Sequence, residues 1–138
     1  MITTFHWKTN AVTILILLAV GCSRGDGFNR VAIEGRATIN GEPIQSASFT
    51  LVPPLESKSP SVYGVVSNGQ YRLDRKNGPV PGPHRLEITI FSAPEASDNT
   101  EGAQISVREL GSYSIEVQVP EKGSSSLDFV VDKQNTSS

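Results

Sequence analysis

Between about Arg30 and Asp132 the polarity of the chain alternates with a period of two rather than 3.6. Ala47, Phe49 and Leu51 fall on one side and Ser46, Ser48 and Thr50 on the other, the pattern of a strand with one buried and one wet face. The same alternation runs through Val31, Ile33, Gly35, Ala37 and Ile39. It returns in Leu86, Ile88 and Ile90 against Arg85, Glu87 and Thr89. Ile115, Val117 and Val119 alternate with Glu116 and Gln118, and Leu127, Phe129 and Val131 with Asp128 and Asp132. No segment of this region carries a helical stripe. A chain patterned this way must build sheets.

Turn chemistry punctuates the alternation. Asn40-Gly41 and Asn68-Gly69 supply the positive φ angles of tight hairpins, and Pro79, Pro81 and Pro83 around Gly78 and Gly82 interrupt any ladder there. The result is about seven short strands, expected near 31–39, 44–52, 62–67, 70–74, 84–91, 113–119 and 126–132. Seven strands in about 100 residues match an immunoglobulin-like sandwich, in which two sheets bury their apolar faces against each other. The expected core is Phe49, Tyr71, Leu86, Ile88, Ile115, Val117, Leu127 and Phe129.

Composition agrees with one folded domain. The chain has 138 residues, 37% hydrophobic and 19% charged, with 12 Lys+Arg against 14 Asp+Glu. These values exclude a coiled coil, a collagen-like or disordered chain and a polytopic membrane protein. A net charge of -2 gives no support to nucleic-acid binding.

The N-terminus differs from the rest. Lys8 precedes an apolar-leaning run from Ala11 to Val20, which is short against the ~20 residues a membrane-spanning helix needs and suits the core of a secretory signal. The only cysteine follows at once, in Leu18-Ala19-Val20-Gly21-Cys22. This segment resembles the lipobox of bacterial lipoproteins, with Ala19 at a position more often held by Leu. The resemblance implies a signal peptide over 1–21 and acylation of Cys22 with palmitate-type chains, so that Cys22 becomes the new N-terminus and the membrane anchor. Ser23 after the cysteine implies the outer membrane rather than the inner. The alternatives are a free or buried thiol, a plain secreted protein and an uncleaved anchor. Residues 22–29 then read as lipidated terminus and tether, 30–133 as the domain, and 134–138 as a flexible tail.

A second resemblance covers the domain. Val31-x-Ile33-x-Gly35-x-Ala37-x-Ile39-Asn40-Gly41-Glu42-Pro43-Ile44 is similar to the opening hairpin of carboxypeptidase regulatory-like, transthyretin-related domains. Ala47 to Pro53 resembles their second strand, Asn68-Gly69-Gln70-Tyr71-Arg72-Leu73 their next hairpin, and Val80 to Leu86 the start of the strand that follows. Val119-Pro120-Glu121-Lys122-Gly123 before Leu127-Asp128-Phe129 is similar to their last hairpin. The resemblance implies an all-β, immunoglobulin-like or transthyretin-like Greek-key β-sandwich without peptidase activity. It is silent on function, because these positions are turns and core.

Catalytic chemistry has little to draw on. The mature chain has one histidine, His84, at a strand start, where a packing role is expected. With no further cysteine there is no usual zinc set, and glycine-rich phosphate loops are missing. No enzyme activity, metal or cofactor is expected. Glu95, Asp98 and Glu101 lie in the polar stretch Ser92 to Gln104, which reads as a solvated loop of about 13 residues. Calcium would need more oxygens at fixed spacing. Loops of that length are commonly either functional or disordered, and this one and the Pro-rich stretch Pro53 to Pro60 are the first places to seek a recognition surface. The aromatics Tyr63, Phe91 and Tyr113 are candidates for stacking sugars. The expectation is a lipid-anchored, noncatalytic envelope module that contacts another envelope protein, with a carbohydrate-binding module as the alternative. Its partners are then the membrane, through the Cys22 lipid, and an envelope protein or glycan, and no nucleic acid.

Overall fold

The computed structural model describes residues 25–96 and 105–135. The strands are β1 (Ile33–Ile39), β2 (Glu42–Pro43), β3 (Ser46–Val52), β4 (Val62–Ser67) and β5 (Gln70–Leu73). They continue with β6 (Gly82–Phe91), β7 (Glu95–Ala96), β8 (Ile105–Ser106), β9 (Glu109–Val119) and β10 (Phe129–Val131), before a 3-10 turn over Lys133–Asn135. The protein is all-β, with no α-helix among the described residues and none long and apolar enough to cross a membrane. Each of the seven expected strands is present. The 62–67 strand falls where the alternation puts it, and the others shift at their ends.

Seven strands form one curled sheet in the order β10-β1-β5-β4-β3-β6-β9, with β2 paired to β1. All its ladders are antiparallel except β1 with β10. β1 lies between β5 and β10 and joins them. Its first half pairs with β5, from Ile33↔Leu73 to Arg36↔Gln70, and its second half with β10, from Ala37↔Phe129 to Ile39↔Val131. The Asn-Gly turns close as expected, with φ of 49° and 83° at Asn40 and Gly41 and 52° and 74° at Asn68 and Gly69. Positive φ at both central residues matches the right-handed twist of the flanking strands.

The centre of the core is aromatic. Phe49 meets Tyr71 and Phe129 edge-on with ring centroids 5.3 Å from each, and Tyr71 stacks on Phe129 at 4.1 Å. Gly64 lies directly across the ladder from Phe49, and a Cβ there would run into the Phe49 ring. Gly64→Ala should therefore cost about 1–3 kcal/mol by overpacking, read as a lower urea midpoint. On the other side of the core, residues 124–127 run against the first half of β1, with Glu34 N donating to Ser124 O and Leu127 N to Glu34 O. Gly35 permits that approach, since a Cβ would collide with the Leu127 carbonyl.

Five of the eight expected core residues are fully buried: Phe49, Tyr71, Leu86, Ile88 and Phe129. Ile115, Val117 and Leu127 are only half-buried. The reason is coverage. β9 is an edge strand of 11 residues, and β10, which closes that side, has three. Ile33, Ile44, Leu51, Ile90, Val119 and Val131 are among the other buried members of the core.

The stretch 92–104 also differs from a plain loop. Glu95 pairs with Ser106 and Ala96 with Ile105, so the β6–β9 hairpin continues as a two-stranded arm and only 97–104 lies beyond it, outside the described residues. For the same reason β9 begins at Glu109 rather than near 113.

Candidate interaction surfaces

The pairing registers define two ends. Ile33, Leu73, Val62, Gly82 and Val119 lie at one end, and Ser46, Ser67, Gln70, Phe91 and Glu109 at the other. The chain joins the domain at the first. There Val31 N donates to Pro79 O at 2.9 Å, and Arg30 donates to Gly78 O at 2.9 Å while also pairing with Asp26. The Arg30 hydrogen bond, with a second from Phe28 N, holds the Asp26 carboxyl below its ordinary range. This end is the N-proximal end. The arm leaves from the other, the distal end.

The base of the arm is cross-linked by hydrogen bonds. Ser92 N donates to Arg108 O at 2.8 Å and Arg108 N to Ser92 Oγ at 3.1 Å. Ser112 Oγ lies 2.9 Å from Thr89 Oγ1 and donates to Glu109 Oε1 at 2.9 Å. The ladder slips between Ile90 and Phe91, and such irregularities re-aim side chains. Beside it Val107 and Leu110 are 53% and 55% exposed. Among the described residues β9 has a ladder on one side only, with β6. Its other edge offers backbone donors and acceptors in a stretch, Leu110 to Ile115, without a charge or a proline to block pairing.

The candidate site residues do not converge. Tyr63 is 64% exposed on the outer face of β4, opposite Thr50. Phe91 is half-buried where the arm begins, and Tyr113 is half-buried on the inner face of β9, packed against the core. No one surface holds all three. Asp98, Glu101 and Cys22 lie outside the described residues. Among the described residues no three His, Cys, Asp or Glu side chains gather as a metal site.

His84 sits in the interior, 2% exposed, in phase with Leu86, Ile88 and Ile90. Its Nδ1 lies 3.1 Å from Gly82 O, and its Nε2 has no hydrogen-bond partner among the described residues. Alternation alone marks it as inward, and the packing role expected of it is the one the fold provides. A buried polar group lacking a partner contributes little to stability. His84→Leu should accordingly shift unfolding free energy by less than about 1.5 kcal/mol, well below the ordinary loss at a core position, in a urea titration.

Tyr71 is the other buried polar group, and it is satisfied: its hydroxyl donates to Leu127 O. Burial, reinforced by the nearby Asp128 charge, pushes the phenol well above its ordinary value. The folded state thus favours the protonated ring. Stability from this group is whole below about pH 10, where the unfolded chain also stays neutral, and falls as pH rises further. Tyr71→Phe should lose about 1 kcal/mol at pH 7 and show a shallower alkaline decline of the urea midpoint than the parent chain.

No known protein family, curated protein or solved structure matches the chain.

Proposed function

We propose that this protein is a lipid-anchored cell-envelope β-sandwich of the immunoglobulin-like or transthyretin-like, carboxypeptidase regulatory-like kind, acting as a noncatalytic docking module. Acylation at Cys22 holds it to the envelope, by the Ser23 resemblance at the outer membrane, and the distal arm with the β9 edge engages another envelope protein. The observation that carries this reading is the opposition of the two ends. The chain enters at one, three residues after Cys22 by Gly25, and the arm with exposed Val107 and Leu110 departs from the other. An anchored module of this shape presents its arm away from the membrane. Exposed apolar side chains next to an unpaired strand edge suit binding by packing and by strand addition.

The test is cross-linking in intact cells of the parent chain and of a Val107→Ser, Leu110→Ser variant. Both positions are exposed, so the fold survives. A defined adduct that weakens at least several-fold in the variant is the expected result, and an adduct of equal strength in both would contradict docking through the arm. A glycan-binding reading is favoured only by Tyr63, which stands on an uncovered sheet face beside Thr50. It requires that Tyr63→Ala abolish glycan binding in a folded domain.

A further inference from the structure

The charges at the N-proximal end are distributed unlike those at the distal end. Arg30 is occupied by Asp26, and Arg72 pairs with Glu34 at 3.6 Å. Arg75 and Lys76, on the turn after β5, and Lys122, on the turn after β9, have no ion-pair partner among the described residues. The acids near them are few or engaged. Asp74 Oδ1 accepts from Asn77 N at 2.9 Å, Glu121 shares its turn with Lys122, and Glu56 shares its loop with Lys58. Set against Asp74, Arg75 and Lys76 leave one positive charge in surplus at this end. Arg75 also links two adjoining clefts, one shared with Lys122 and the other with Lys76, Arg30 and Phe28, whose ring is 37% exposed. The distal end has the opposite balance, with Glu42, Glu95, Glu109 and Asp132 against Arg36, Arg108 and Lys133.

We propose that the N-proximal end is a membrane-facing surface on which Arg75, Lys76 and Lys122 contact the headgroups of an anionic bilayer. The proposal rests on the lipid-anchor reading. Acyl chains on Cys22 would be three residues from Gly25, and three extended residues span at most about 10 Å. Attraction between exposed charges dies away over about 8 Å at physiological salt, so only cations at this end come close enough to gain from an anionic leaflet. All three stand on turns that project past the strands. Attraction confined to this end stands the domain upright with its arm outward. Phe28 offers an apolar side chain at the level of the headgroups.

The experiment uses the full chain, expressed with its leader in a bacterial host, purified in detergent and reconstituted. Vesicles are phosphatidylcholine alone or phosphatidylcholine with about one-quarter phosphatidylglycerol. Flotation measures attachment, and amine-reactive footprinting with peptide mass spectrometry compares Lys76 and Lys122 with Lys133 at the distal end. The expected result is labelling of Lys76 and Lys122 slowed about 3-fold or more on anionic vesicles relative to neutral ones, unchanged labelling of Lys133, and loss of the difference at about 0.5 M salt. An Arg75→Glu variant should weaken the protection of its two neighbours. Equal labelling of Lys76 and Lys122 on both vesicles, with the protein afloat, would overturn the proposal and leave the anchor intact. Flotation with anionic but not neutral vesicles would remove the anchor and keep the basic surface. Flotation with neither would overturn both.

Discussion

Replacing Phe49 or Phe129 with Ala is expected to lower the unfolding free energy by about 3–5 kcal/mol, the range for emptying a buried phenylalanine site. Both rings are fully buried, and each touches the other and Tyr71 with centroid separations between 4.1 and 5.3 Å. Removing either ring therefore strips contacts from two neighbours at once, and the site cannot collapse easily because the strands beneath are held in register. Phe49 is fixed by ladders to both β4 and β6, and Phe129 by the β1 pairing at Ala37. A domain of this size has only about 5–15 kcal/mol of stability in total, so either variant should have a far lower urea midpoint or fail to fold. A loss under about 1 kcal/mol in both would mean that the sheet does not close as described.

Cys22→Ala is expected to abolish acylation and release the protein from the membrane fraction. Each buried CH₂ contributes about 0.8 kcal/mol, so several acyl chains on one residue hold a protein of this size firmly, and removing the residue that bears them leaves no comparable anchor in the domain. The expected readout is complete loss of metabolic fatty-acid label, together with transfer of the folded domain to the soluble envelope fraction. Acyl label that persists in the variant would refute lipidation at this cysteine. Loss of label with the protein still bound would point to the uncleaved apolar run as the anchor instead.

Much of the fold was legible because a period of two assigns faces residue by residue. Phe49, Leu86 and Ile88 could be placed inward from their neighbours alone, and Asn40-Gly41 could be assigned a turn from backbone preference. What the alternation cannot carry is coverage. It marks Ile115 and Val117 as inward but not that they sit on an edge strand facing a partner of three residues. The pairing of β1 with both β5 and β10 and the seating of Gly64 under Phe49 are likewise contacts between distant segments, with no local signature. The candidate surfaces were less legible still. Glu95-Ala96 and Ile105-Ser106 are strands of two residues each, too short for an alternation to show, so a paired segment reads like a loop. Tyr63, Phe91 and Tyr113 share aromatic chemistry, but the fold sends them to three different places.

The most direct measurement places a photo-cross-linking amino acid, one position at a time, at Leu110 on β9 at the base of the arm, Ser114 further along β9, Tyr63 on the outer face and Lys58 at the N-proximal end. Adducts would be resolved by mass from intact cells. Docking through the arm and edge should yield the same partner band from Leu110 and Ser114 and none from Tyr63 or Lys58. A band from Tyr63 or Lys58 alone, or no band from any position, would contradict it.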